Sequence, residues 1–325
     1  MTVNTTRRTL VAGLAAAPFA AVAQTSGAGP YPTKPIRFIV PFPAGSAPDA
    51  IARILTQHMQ GTLGQSFVID NKPGAQGSIA ASEAARAAPD GYTIFGGNNS
   101  TLAGNMALYK KLPYDPNKDF VPIGRFITAA LMLVTRPDFP AKTTKEFIAY
   151  AKANPGKLTA AHASAGMQVS IGELKGLGGI DVLDVPYKGV PQAVSDVLGG
   201  QVSFTFADYA AAFPQVRSGK LKGLGVTAPT RTQLMPEMPS LAEELPGFDV
   251  TVWSGLVAPA GTPKDVVDKL WDASRKALAA PEVAGRLNAI GLEVAPLGPQ
   301  EVPRFIAAEQ AKWARQVKAA NIQPE

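Results

Sequence analysis

The chain has 325 residues, of which 46% are hydrophobic, so it is long enough to bury a substantial core and we expect two lobes. Its formal net charge of +6 is scattered, with no basic run interleaved with aromatic residues, which argues against nucleic acid as a partner. The chain has no cysteine, which excludes disulfides, thiol catalysis and a lipid anchor on a cysteine.

Residues 1–23 have the pattern of an export signal. Arg7 and Arg8 precede the apolar block LVAGLAAAPFAAVA, which ends in an A-x-A sequence at Ala23. This block is shorter than the roughly 20 residues that a membrane span needs, so we favour a signal cleaved after Ala23 over a membrane helix or an amphipathic N-terminal helix. The paired arginines leave Sec and Tat export both open. The expected location is the periplasm.

The mature chain repeats one theme, a short apolar strand followed by a small polar loop and a helix. The first unit is IRFIVPF, the PAGSAPD turn and a helix from about Ala47, in which Ser46 is the expected N-cap and Asp49 completes a capping box. The segments SFVIDNKPGAQGSIAASEAARAA and GYTIFGGNNSTLAGNMALY repeat the theme, and ALMLVTRP is expected to start a second series. Helices that alternate with strands favour parallel sheets.

The segment PGFDVTVWSGLVAPAGTP is expected to run extended and return the chain to the first lobe, before two closing helices. The prediction is therefore an α/β protein with two doubly wound domains joined by a hinge. Domain 1 comprises residues 31–127 plus 247–325, and domain 2 comprises residues 128–246. Ligands of open α/β sheets bind beyond the carboxyl ends of the strands, where helix N-termini offer unpaired N–H groups.

Several of these loops have alternative interpretations. PAGSAPD is either an anion site or a plain connection, and it lacks the spacing of a phosphate-binding loop. HASAG resembles part of a nucleophile elbow around Ser164, but no histidine follows it in the chain to serve as base. Asp208 either caps the next helix or holds an ammonium or hydroxyl group of a ligand. In GGNNST, Ser100 is expected to cap a helix while its neighbours orient a ligand. No metal site and no cofactor are expected.

Five blocks in collinear order resemble one family, the Bug substrate-binding proteins of tripartite tricarboxylate transporters. The blocks are YPTKPIRFIVPFPAGSAPDAIAR, VIDNKPGAQGSIAASEAARAAPDGYTI, LPYDPNKDFVPI, VLDVPYKGVPQAVSDVLGGQV and GLVAPAGTPKDVV. The resemblance runs from about Tyr31 to Ile322. It implies a two-lobed fold like that of type 2 periplasmic binding proteins, which closes around a small ligand, usually a carboxylic acid.

The resemblance also implies the binding residues. The family's first-strand loop, P-F-x-x-G-G-x-x-D, cradles a carboxylate through backbone amides and ordered water, and Ser46 replaces its second glycine. The implied ligand-binding residues are Phe42, Ala44, Gly45, Ser46, Asp49, Asn98, Ser100, Thr101, Ser164, Ala165, Gly166 and Asp208. Gln168 to Ile171 stand where the family usually has Ser-His-Leu, so this sequence departs from the family's pattern in the second lobe.

The functional expectation is therefore a monomeric, non-enzymatic periplasmic receptor. It would capture a small carboxylic or amino-acid-like ligand for the membrane subunits of a tripartite transporter or for a sensor. An exported small-molecule hydrolase that uses Ser164 is the alternative.

Overall fold

The computed structural model describes Met1 and residues 31–232, 234–319 and 322–324. All of the predicted export signal except Met1 lies outside these residues. The first part of the described chain forms three parallel strands in the order β2-β1-β3, with helices between them. The elements are β1 (Ile36–Val40), α1 (Ala47–Leu63), β2 (Phe67–Asn71), α2 (Ser78–Ala85) and β3 (Thr93–Phe95).

Helix α1 shows why these elements form where they do. Its apolar positions recur every three or four residues, and Ile51, Leu55 and Met59 are buried against the sheet. The helix begins after Ser46 and ends at Gly64, which adopts a left-handed conformation with φ of 68°. Two short turns, Ala75–Gly77 (3-10) and Ser100–Gly104 (π), precede α2 and α3 (Asn105–Leu108).

One long strand joins the two halves of the fold. Strand β4 (Phe120–Thr135) has 16 residues, whereas the sequence predicted a separate strand at ALMLVTRP. Residues 120–130 of β4 pair antiparallel with β9 (Thr251–Pro259) and β10 (Glu293–Leu297) in the first sheet. Residues 131–135 pair antiparallel with β7 (Phe204–Asp208) and β8 (Lys222–Val226) in the second sheet. The expectation of parallel sheets is therefore wrong for these strands, because β4 continues from the first sheet into the second and runs antiparallel to its neighbours in both.

The second sheet repeats the alternation of strand and helix. Strands β5 (Leu158–His162) and β6 (Val182–Pro186) pair in parallel, and β5 also pairs in parallel with β7. The intervening helices are α4 (Thr144–Ala153), α5 (Ala165–Gly178), α6 (Val190–Leu198) and α7 (Tyr209–Arg217). Strands and helices therefore alternate here, as expected for a second series of the strand–loop–helix theme.

The chain returns to the first sheet through β9 and ends in three helices, α8 (Lys264–Ala279), α9 (Pro281–Asn288) and α10 (Val302–Ala319). The sequence predicted α8 and α10 but neither α9 nor the intervening β10. The described residues from 32 to 324 form a single compact unit, since β4 belongs to both sheets. In the described part of the chain, no helix has the length and apolar character needed to span a bilayer.

Candidate ligand-binding cleft

Three helix N-termini converge on one cavity between the two sheets. Ser46, Ser164 and Asp208 occupy the N-cap positions of α1, α5 and α7, and all three line this cavity. Its volume is about 80 Å³, which is room for a few water molecules or a small organic ligand. Because each helix N-terminus carries partial positive charge and unpaired N–H groups, the cavity is suited to an anionic group.

Strands β4 and β9 and helix α1 supply much of the wall of the cavity. The lining residues not predicted from the sequence are Ala47, Pro48, Ile51, Asn99, Ile127, Ala129, Leu131, Met167, Val190, Val252, Trp253, Ser254 and Leu292. Most are apolar, and none of the described lining residues is a lysine or arginine. The binding potential of the cavity therefore comes from helix ends, hydroxyls and side-chain amides.

The loop after β1 is held by its own carboxylate. The Gly45 N–H donates to Asp49 Oδ2 at 3.0 Å, and the Ser46 hydroxyl donates to the Pro43 carbonyl at 2.7 Å. The predicted capping box is therefore wrong: Ser46 makes no side-chain cap, and Asp49 bonds to Gly45 instead of to Ser46. The reason is that Gly45 has a φ of +82°, which turns its N–H toward the helix and under the Asp49 side chain.

Asp49 is a structural anion in this loop. Burial disfavours its charge, but bonds from Arg53 and Gly45 outweigh that effect, so the pKa of Asp49 is lower than usual. The Asp49 and Arg53 side chains are 2.9 Å apart. Asp49 therefore fixes the turn, and it does not line the cavity.

The loop after β3 is organised by Asn98. Its Oδ1 accepts a hydrogen bond from the Thr101 N–H at 3.0 Å, and its own N–H donates to Thr101 Oγ1 at 3.1 Å. Asn98 also forms a β-bridge with Ser254 of β9. Ser100 was predicted to cap the helix, but Asn98 supplies that oxygen, which leaves Ser100 to line the cavity.

In the second sheet, the loops before α5 and α7 each contain a side chain that caps the following helix. Ser164 Oγ accepts from the Met167 N–H at 3.4 Å. Gly166 lies so close to β9 that an added Cβ would be 3.0 Å from Val252 Cγ1. Asp208 Oδ1 accepts from the Ala211 N–H at 3.0 Å, so the predicted cap is present.

Asp208 is the one ionisable side chain among the described residues that line the cavity. It is 9% exposed, and burial raises the pKa of its carboxyl, opposed by the bond from the Ala211 N–H. A buried carboxyl group in the lining of a cavity favours a ligand that donates a hydrogen bond to it.

Six of the predicted residues line the cavity and six do not. Those that line it are Phe42, Ser46, Asn98, Ser100, Ser164 and Asp208. Those outside its lining are Ala44, Gly45, Asp49, Thr101, Ala165 and Gly166, which form or support the same loops. The missed lining residues on β4 and β9 belong to extended segments that carry no loop signal in the sequence.

The family model described as "Tripartite tricarboxylate transporter family receptor" matches residues 51–322. The protein BugT of Bordetella pertussis is 34% identical over 319 residues, which cover 97% of this chain and 98% of BugT. The solved structure of the periplasmic binding protein BugD is 35% identical, with a TM-score of 0.86, and covers 91% of this chain and 100% of BugD. MatC from Rhodopseudomonas palustris with bound malate is also 35% identical, with a TM-score of 0.82 over 88% of this chain and 100% of MatC.

Proposed function

Because the chain belongs to the tripartite tricarboxylate transporter receptor family, a family of solute-binding receptors, we propose that it captures a small carboxylic acid in the cleft between its sheets. The observation that carries this proposal is the convergence of the N-termini of α1, α5 and α7 on one cavity. With no lysine or arginine among its described lining residues, the cavity would balance a carboxylate with helix ends and hydroxyl donors.

The two lobes in this proposal are residues 31–127 plus 247–325 and residues 128–246. Phe42, Ser46 and Ser100 of the first lobe would contact the ligand from one side, and Ser164 and Asp208 of the second lobe would contact it from the other. Residues such as Asp49 and Thr101 would act indirectly, by holding the loops in shape. Closure of the lobes would then bury the ligand.

Asp208 narrows the proposed ligand class. A plain carboxylate placed against this buried carboxyl group would be repelled, or would force Asp208 to remain protonated. A ligand with a hydroxyl or ammonium group would instead donate a hydrogen bond to it. MatC was solved with malate, which is a hydroxy acid. We therefore place hydroxy acids and amino acids ahead of unsubstituted acids for this chain.

The receptor role implies a place in the cell and a recipient for the ligand. We propose that the protein works in the periplasm after export by a signal cleaved after Ala23, and that it delivers its ligand as a monomer to membrane subunits or to a sensor. We also propose that it is not an enzyme. Ser164 acts as the N-cap of α5, and the family is one of receptors, so the hydrolase alternative has no support.

A thermal-shift screen tests this function. The panel contains L-malate, succinate, L-aspartate and malamide, the uncharged diamide of malate. A ligand at one hundred times its Kd stabilises a protein by about 2.7 kcal/mol. We expect malate or aspartate to raise the melting temperature more than succinate does, and malamide to have no effect.

Matched serine variants localise the effect. Ser100→Ala removes a hydroxyl in the lining of the cavity, and Ser82→Ala removes a buried hydroxyl outside it. The stabilisation should weaken in the first variant and persist in the second. If malamide stabilises the protein as well as malate does, or if Ser82→Ala weakens the shift equally, carboxylate binding at this cavity is wrong.

A further inference from the structure

We propose that Gln76 and Gln168 form a latch that holds the second lobe closed against the ligand-binding loops, and this proposal rests on the proposed receptor function. Gln76 Nε2 donates a hydrogen bond to Gln168 Oε1 at 3.0 Å. Gln76 belongs to the turn before α2 in the first lobe, and Gln168 belongs to the first turn of α5 in the second. The bond therefore spans the cleft and is made only while the lobes are together.

The backbone around Gln76 is strained in a way that serves this contact. Ala75 and Gln76 have φ values of 46° and 49°, and they are the only residues other than glycine with positive φ in the described chain. The left-handed region disfavours side chains with a Cβ by roughly 1–2 kcal/mol per residue. Such strain persists only where surrounding contacts enforce it, and it is concentrated at functional sites.

Those enforcing contacts tie the turn to the binding loops. Asn105, which is fully buried, donates from Nδ2 to the Gln76 carbonyl at 3.2 Å and to Ser78 Oγ at 3.1 Å. The Tyr114 hydroxyl lies 3.4 Å from Asn105 Nδ2 and donates to the Thr101 carbonyl at 2.8 Å. The same scaffold therefore holds both the latch and the loop after β3.

Gly77 completes the connection. A Cβ at Gly77 would lie 2.7 Å from Thr101 Cγ2 and 2.9 Å from Pro41 Cβ. The latch turn is thus packed directly on residues next to the cavity-lining Phe42 and Ser100. Any movement of the binding loops when a ligand enters would be passed to Gln76 and from there to α5.

The opposite end of the latch is equally close to the cavity. Gln168 follows Met167, which lines the cavity, in a helix whose N-cap is Ser164. The neighbouring Gly166 approaches Asn99 of the first lobe, with 3.3 Å between an added Cβ and Asn99 Nδ2. The first turn of α5 is therefore the part of the second lobe that closes onto the first lobe. Gln168 supplies the side-chain hydrogen bond that holds it there.

The latch can be measured directly because the chain has no native cysteine. Val68→Cys and Leu183→Cys place spin labels on the two lobes at side chains that are each 55% exposed. Distance distributions from double electron–electron resonance then give the ratio of open to closed molecules. Three changes are compared in this labelled background: Gln168→Met, which removes the acceptor, Gln168→Glu, which keeps it, and Gln76→Gly, which removes the donor and the strain.

Loss of one hydrogen bond should raise the ratio of open to closed molecules by about 2- to 10-fold in Gln168→Met and in Gln76→Gly. The double variant should be no more open than either single variant, because both remove the same bond. Gln168→Glu should resemble the wild type. Gln76→Gly should also melt no lower than the wild type, because glycine relieves the left-handed strain at this position.

The control is Gln57→Met, which removes a 2.7 Å bond from Arg286 within the first lobe. Its distance distribution should match that of the wild type. Equal distributions for Gln168→Met and wild type, both without ligand and with L-malate as the probe, would overturn the latch, as would opening by Gln57→Met. Failure of malate and the other acids to stabilise the wild-type protein counts against the proposed function instead, since the ligand-free distances do not depend on it.

Discussion

Gly291 is the position where a single methyl group should hold the two lobes apart. It lies before β10 in the first lobe, with a φ of +75°, and its neighbour across the cleft is Tyr209, the first residue of α7. A Cβ on Gly291 would lie 1.9 Å from Tyr209 Cγ, where ordinary van der Waals contact begins at 3.4 Å. Tyr209 is 5% exposed and stacks on Phe213 at 4.2 Å, so its ring has little room to move aside.

The expected magnitude has two parts that a second variant separates. Alanine in the left-handed region destabilises the fold by roughly 1–2 kcal/mol whatever surrounds it. Overpacking against Tyr209 adds about 1–3 kcal/mol, but only in the closed form. Gly219 has a φ of +74° and nothing within 4 Å of its added Cβ, so Gly219→Ala carries the first part alone.

Isothermal titration with the acid that gives the largest thermal shift measures the difference. Without ligand, Gly291→Ala and Gly219→Ala should melt at similar temperatures. With ligand, Kd should increase by about 5- to 150-fold in Gly291→Ala and change little in Gly219→Ala. Combining Gly291→Ala with Tyr209→Gly, which removes the Cβ, Cγ and Cδ1 atoms that the added methyl group would meet, should recover most of the lost affinity. Equal Kd values for the two glycine variants would refute the view that the lobes close on this contact.

Two further predictions concern the polar groups of the cleft. A buried acid with a raised pKa contributes stability that is present below its unfolded value, near 3.8, and is lost as pH rises through its folded value. Asp208→Asn should therefore flatten the fall in ligand-free melting temperature on going from acid to neutral pH. Asp208→Asn should also reduce the ratio of the succinate Kd to the malate Kd. An unchanged ratio would contradict the role given to Asp208. Ser164→Ala and Thr143→Ala each remove a helix N-cap, on α5 and α4 respectively, and each should lose about 1 kcal/mol of stability. Only Ser164→Ala should also weaken ligand binding, and equal affinities in the two variants would refute a ligand contact by Ser164.

Local patterns in the sequence predict most of the elements of this fold. The apolar spacing of α1, the N-cap Thr143 of α4 and the glycine that ends α1 all act over a few residues, so they can be read without tertiary information. Strand β4 could not be predicted as one element, because FVPIGRF and ALMLVTRP pair with different sheets. Helix α9 and strand β10 were not predicted. The antiparallel pairing of β10 with β4 depends on a partner about 170 residues away, which no local pattern shows.

In the binding site, too, local patterns predict some residues, whereas others depend on tertiary contacts. Loop residues such as Ser46 and Asp208 stand at strand ends before helices, which marks them in the sequence as candidates. Their hydrogen-bond partners were harder to infer. Asp49 was expected to bond to Ser46 but bonds to Gly45, because the backbone of Gly45 adopts a positive φ. The wall formed by Leu131 and Trp253 depends on the crossing of β4 and β9, which no local pattern encodes.

The space beside Gly45 is open. An added Cβ there has nothing within 4 Å, so this loop requires glycine for its backbone angle rather than for room. Ser46 is buried and donates to the Pro43 carbonyl, which tightens the turn between β1 and α1. Ser46 thus both braces the loop and lines the wall of the cavity.

The most direct test of the central claim is titration of the purified protein with L-malate and with malamide. A receptor that balances a carboxylate at three helix N-termini should bind a hydroxy acid with one-to-one stoichiometry and should not bind its uncharged diamide. The malate affinity should fall when Ser100 is replaced by alanine and stay unchanged when Ser82 is replaced. Binding of malamide equal to that of malate, or binding of malate that is indifferent to Ser100→Ala, would contradict the account.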